Sequence, residues 1–163
     1  EVRIVNDEVW LRAASMAQGY WRNGQLIPLV NAEGWFATRD RGMLKDGKLT
    51  IVGRMDNLFF SGGEGIQPEE VERVIAAHPH VLQAFIVPIE DKEFGHRPVA
   101  VVEYDANAGE TNLAEWVKDK LARFQQPVCW LTLPPELKAG GIKISRRALS
   151  DWVSASSLTL RKH

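Results

Sequence analysis

The chain has 163 residues, 45% hydrophobic and 25% charged, which excludes extended disorder and suits a soluble globular protein of one domain or two small ones. Twenty Lys+Arg against 21 Asp+Glu leave a formal net charge of -1, so no general electrostatic attraction to nucleic acid or an acidic membrane is expected. The single Cys129 excludes an internal disulfide, no apolar run reaches the roughly 18 to 20 residues that span a bilayer, and the N-terminus has no signal-peptide pattern, so a cytoplasmic protein is expected.

Residues 1–55 read as β structure. Val2–Val5 and Val9–Arg12 flank Asn6-Asp7, a hairpin signal, and Arg22-Asn23-Gly24 is a second turn. Trp35–Thr38 and Leu49–Val52 read as further strands, with Asp46-Gly47 as the tight turn before the latter. The chain opens without Met inside a strand-like run, which reads as the start of a fragment. A small twisted sheet or partial barrel is expected here.

Past Gly53-Arg54 the pattern alternates. Pro68 suits a first helical position, Glu69, Glu70 and Glu72 favour the positive end of the helix dipole, and Val71, Val74, Ile75 and His78 recur at helical spacing before Pro79. Phe85–Val87 and Val99–Tyr104 are strand-like. Thr111 or Asn112 can cap a helix burying Leu113, Trp116, Val117 and Leu121. A strand at Trp130–Leu133 precedes a loop containing Pro134-Pro135 and Gly140-Gly141. Ser145 then caps a last helix burying Ala148, Leu149, Trp152 and Val153, with a frayed tail after Ser154. Residues 56–163 are thus expected to form an α+β domain, joined to residues 1–55 at Asp56 with no flexible linker.

Three segments carry candidate chemistry. Phe60-Ser61-Gly62-Gly63-Glu64-Gly65 has three glycines that permit positive φ or close approach of a ligand, and equally suits a plain loop ahead of the helix. It has neither phosphate-loop nor dinucleotide-fold spacing. Gly140-Gly141-Ile142-Lys143-Ile144-Ser145-Arg146 places a lysine after a flexible pair, where an ammonium can stabilise charge on phosphate or carboxylate; a solvated surface lysine is the alternative. Thr38-Arg39-Asp40 reads as a strand end presenting a carboxylate, which can meet ribose hydroxyls or cap its own turn. His78, His80 and His96 lack metal-ligand spacing, so no metal site is expected.

Taken together and in order, these segments resemble the core motifs of the adenylate-forming superfamily of acyl–CoA synthetases. The resemblance rests on Gly19-Tyr20-Trp21, Gly34-Trp35-Phe36 with Thr38 and Asp40, and Asp46-Gly47 followed by Gly53-Arg54-Met55-Asp56. It continues through Gly62-Gly63 with Ile66, Pro68, Glu70 and Glu72, and ends at Lys143-Ile144-Ser145-Arg146. It covers about residues 2–152 and implies a β-rich remnant of a large adenylation domain (1–55) followed by the small lid domain (56–163). It further implies that Asp40 and Arg54 contact the ATP or AMP moiety, Asp56 is the hinge, Lys143 is catalytic in adenylation, and Ser61, Gly62 and Gly63 line the pantetheine path of CoA.

Two positions depart from the family pattern: Arg39 stands where the family has glycine, and Ile142 where glycine precedes the lysine, leaving Lys138 as a second candidate. The resemblance implies ATP with Mg2+ and CoA for the intact enzyme, none of them bound to this part alone. It also implies a missing N-terminal large domain as partner, and open strand edges that invite self-association. The phosphate-binding loop motif is absent from these residues, so the chain alone is expected to be inactive. A non-catalytic interaction module of the same ancestry is the competing reading; it requires residues 1–55 to leave no exposed apolar edge.

Overall fold

A computed structural model describes residues 1–108, 111–138 and 144–160. They form a mixed α/β chain of two compact units, Glu1–Asn57 and Leu58–His163. The division falls just past Asp56, after a 3-10 turn at Met55–Asn57 that closes the first unit.

In the first unit, β1 (Val2–Val5) and β2 (Glu8–Leu11) are joined by Asn6-Asp7, with φ of 50° and 65°. β3 (Gly19–Arg22) and β4 (Gln25–Pro28) meet through Asn23-Gly24, and β5 (Phe36–Lys45) and β6 (Lys48–Arg54) through Asp46-Gly47. All three turns carry positive φ at both central residues, the conformation that matches strand twist in a two-residue hairpin. Strands pair in the order β1-β2-β5-β6, while β3 and β4 form a separate ribbon. Gly42 admits no side chain: a Cβ there would lie 2.6 Å from Val9 Cγ2 and 2.9 Å from the Thr50 carbonyl.

Val9 and Trp35 are the buried hydrophobic residues of this unit, and the Arg3 guanidinium lies 4.2 Å from the Trp35 ring centroid. Tyr20, Trp21, Leu26 and Ile27 of the ribbon are exposed, as are Met43, Leu44 and Ile51. The interaction-module reading required no such apolar edge, and this surface contradicts it.

The second unit is built on β10 (Gly95–Tyr104). It pairs antiparallel with β9 (Val81–Asp91) and parallel with β11 (Cys129–Thr132). At Gly95 it also meets Ser61 of the hairpin β7 (Phe59–Ser61) and β8 (Glu64–Ile66). Val99 to Val102 are all buried, the run expected of a strand covered on both faces. Ala100 and Val102 face Val71 and Ile75 of α1 (Pro68–Ala76) and Leu113 and Val117 of α2 (Leu113–Lys118). Val99 and Val101 face Leu149 and Val153 of α4 (Arg146–Leu160). Asn112 caps α2, its side chain accepting from the Glu115 N–H at 3.2 Å.

Several sequence expectations are corrected. The Gly62-Gly63 segment is a hairpin turn, not a plain loop ahead of α1, because Phe59–Ser61 finds partners in Glu64–Ile66 and Gly95. Pro135–Lys138 forms a short helix, α3, where a loop is expected. α4 continues to Leu160, past Ser154. No helix among the described residues is long and apolar enough to cross a membrane.

Candidate active-site elements

The candidate nucleotide-facing residues lie on β5, β6 and the turn that follows. Asp40 sits inside β5, not at a strand end, beside an irregularity. Trp10 of β2 pairs with Ala37 and Glu8 with Arg41, so four positions of β5 advance against two of β2. Thr38 stitches this bulge, its hydroxyl donating to the Val9 carbonyl at 2.8 Å and accepting from the Asp40 N–H at 3.1 Å.

Across the next pairing, Asp40 and Arg54 are register partners. Arg54 Nη1 donates to Asp40 Oδ1 and to the Thr38 carbonyl, both at 3.0 Å, and its Nη2 donates to Asp56 Oδ2 at 3.3 Å. Arg39 Nη2 completes the row, donating to Asp56 Oδ1 at 2.6 Å. The result is an alternating chain Asp40–Arg54–Asp56–Arg39. The bond from Arg39 holds the Asp56 carboxyl below its ordinary range, and Arg54 adds to this. Asp40 retains 34% side-chain exposure, so this carboxylate can still meet a ligand hydroxyl.

Arg39 is the unexpected member. Its φ of 65° lies in the left-handed region, which costs a non-glycine residue roughly 1–2 kcal/mol. Glycine, the residue of the resembled motif at this position, would adopt this conformation without that cost. Here the strained residue is held at both ends, its N–H donating to Glu8 Oε1 at 2.8 Å and its guanidinium to Asp56. The Arg39 departure was legible in the sequence; its pairing with Asp56 was not.

The second group lies in the other unit. Gly62 and Gly63, with φ of 59° and 86°, form the exposed tip of the β7–β8 hairpin, and the Gly62 N–H donates to the Phe94 carbonyl at 2.9 Å. Ser61 is buried, leaving the glycine backbone as the accessible part of the segment. Phe94 closes one side: a Cβ on Gly62 would lie 3.0 Å from its ring, and Arg97 covers that ring at 4.6 Å. Glu90, Asp91, Lys92, Gly95 and His96 line an adjacent open cavity of about 340 Å³.

Lys143 lies outside the described residues, as do Gly140, Gly141 and Ile142. The residues that follow are anchored: Ile144 packs against the α4-side core, and Arg146 Nη2 donates to Glu72 Oε2 at 2.7 Å. Lys138, the second candidate, is paired with Glu103 at 2.6 Å. Among the described residues no group of three or more His, Cys, Asp or Glu could hold a metal ion. Asp40 and Asp56, each already paired with arginine, do not suit magnesium either.

Residues 70–134, within the second unit, match the AMP-binding enzyme C-terminal domain. The matched stretch begins inside α1 and ends just past β11, so Asp40, Arg54, Asp56, the Ser61–Gly63 segment and Lys143 lie outside it. Two curated relatives, from Salmonella typhimurium and Escherichia coli, are each named 2-succinylbenzoate–CoA ligase. Each is 80% identical over 153 residues, which is 94% of this chain and 34% of the relative. A solved structure of an Escherichia coli MenE variant with bound OSB-AMS is similar at a TM-score of 0.87 and 78% identity, over 96% of this chain and 34% of that one. The chain thus spans about a third of the length of the curated relatives it matches.

Proposed function

We propose that this chain is the C-terminal part of an o-succinylbenzoate–CoA ligase. The intact enzyme activates the acid with ATP to an acyl-adenylate and then transfers the acyl group to CoA as a thioester, a step of menaquinone biosynthesis. One observation carries this reading: 80% identity over 153 residues to proteins named for that activity.

In this reading Asp40 accepts hydrogen bonds from the ribose hydroxyls of ATP or the adenylate, and Arg54 orients Asp40 and offers its planar fork to nearby oxygens. Lys143 stabilises negative charge on the carboxylate and α-phosphate as the adenylate forms. Asp56 is the hinge between the two units, and Ser61 with Gly62-Gly63 lines the pantetheine path, where backbone without side chains lets a thin chain pass. Lys143 and the glycine hairpin serve different half-reactions, which the hinge presents in turn. The phosphate loop, the adenine site and the acyl pocket belong to the length that the relatives have beyond this chain. The exposed apolar ribbon Tyr20–Ile27 supports such a partner surface. Magnesium enters with ATP as part of the substrate. ATP and CoA are cytoplasmic metabolites, and the reading places the enzyme there.

The test uses the intact ligase and compares wild type with Lys143→Ala. Adenylate formation from o-succinylbenzoate and ATP is expected to collapse, while thioester formation from preformed o-succinylbenzoyl-AMP survives. A wild type that adenylates some other acid and not this one would overturn the substrate assignment. An unaffected Lys143→Ala would remove the lysine from its role.

A further inference from the structure

We propose that Arg39 is a positioning residue for the domain swing: by holding the Asp56 carboxylate against β5, it sets the balance between the two half-reactions. The inference rests on the reading of Asp56 as the hinge given above.

Arg39 occupies a backbone conformation that glycine adopts freely, so an arginine side chain here is a choice made against local strain. The side chain is not spent on general solvation. Its guanidinium reaches Asp56, 17 positions on, at 2.6 Å, in the turn that ends the first unit. Its own N–H is fixed by Glu8 of the neighbouring strand, so the arginine is anchored to the sheet while it holds the carboxylate. Arg54 binds the other oxygen of Asp56 at 3.3 Å and is itself tied to Asp40. Both carboxylate oxygens of the hinge residue are therefore held by arginines rooted in adjacent strands. Rotation of the Asp56 backbone must break or stretch these bonds, so their strength enters the energy difference between the conformers on either side of the swing. Because the pair is solvent-exposed, salt weakens it.

The experiment uses the intact ligase with Arg39→Gly, which removes the bond and relieves the strained backbone. Adenylate formation is followed by ATP–pyrophosphate exchange, and thioester formation from preformed acyl-adenylate and CoA. The expected result is a change of at least about five-fold in the ratio of the two rates. KM for ATP should stay within two-fold and the melting temperature should not fall. Arg39→Lys, which keeps one cation without the fork, should restore part of the ratio. High salt should move the wild-type ratio toward that of Arg39→Gly and move the variant less, since only the Arg54–Asp56 bond remains there to be screened. An unchanged ratio would sink the proposal. So would a change carried wholly by KM for ATP, which would make Arg39 a nucleotide contact. If the wild type fails to activate o-succinylbenzoate, it is the functional reading that fails. The Arg39 proposal is then decided by spin labels on the two units, whose distance distribution must broaden in Arg39→Gly for the proposal to stand.

Discussion

Glu72 and Arg146, 74 positions apart, meet at 2.7 Å and join α1 to the start of α4. The same carboxylate accepts the Ile86 N–H of β9 at 2.8 Å through its other oxygen, and Arg146 also reaches the Ile86 carbonyl at 3.4 Å. Two residues from separate motifs of the sequence thus lock onto one residue of the sheet. Glu72→Ala leaves the Ile86 donor without its partner and Arg146 with only the longer Glu69 and Ile86 contacts, at 3.8 and 3.4 Å, and is expected to destabilise the second unit by about 2 kcal/mol. Glu72→Gln, which keeps an acceptor for Ile86, should cost less. Urea denaturation of both variants measures the difference.

The Asp40–Arg54 pair is exposed, so its loss should scarcely change stability, by about 0–1 kcal/mol. The proposed ribose contact predicts, by contrast, that Asp40→Ala in the intact protein slows adenylate formation about 10- to 100-fold, the worth of one hydrogen bond to a charged group. Thermal melting and ATP–pyrophosphate exchange on the same preparation separate the two effects.

Gly63, with φ of 86°, sits in a turn that needs positive φ at both central residues. Gly63→Ala should cost roughly 1–2 kcal/mol. The reading of this hairpin as part of the CoA path adds a kinetic expectation: thioester formation slows while adenylate formation holds. Equal slowing of both half-reactions would remove the hairpin from CoA binding.

His78 provides a pH dependence. Burial against Trp116, whose ring lies edge-on at 4.9 Å, lowers its pKa from the ordinary 6.5, with His80 and Lys120 adding repulsion. Above that value the imidazole is neutral in both folded and unfolded chains. Below it, the unfolded chain takes up a proton that the folded one resists, so stability falls as pH drops through and below 6.5. Replacing His78 with Asn should flatten the decline between about pH 7 and 5 in denaturation curves collected across that range.

Much of this architecture is local chemistry and therefore legible in the chain. Asn6-Asp7 and Asp46-Gly47 turn where their residue types permit positive φ, Pro68 opens α1, and Asn112 caps α2. What escapes sequence reading is set by partners far along the chain. The β5 bulge depends on the register with β2, and the Gly62-Gly63 turn on the meeting of Ser61 with Gly95. The candidate site divides in the same way. Asp40 and Arg54 stand out through their motifs, but that they are cross-strand partners, and that Arg39 reaches Asp56, emerges only when β5 and β6 are aligned.

The alternation along β9 and β10 partitions the second unit into two interiors on opposite faces of one sheet. Ala100 and Val102 are enclosed with α1 and α2, while Val99 and Val101 are enclosed with α4. Damage on one side is therefore not transmitted whole to the other. If α4 lifts away, Val87, Val99 and Val101 become wet, while the layer formed by α1 and α2 stays dry. Amide exchange in such a unit is expected to proceed in two steps of different depth, one for each interior.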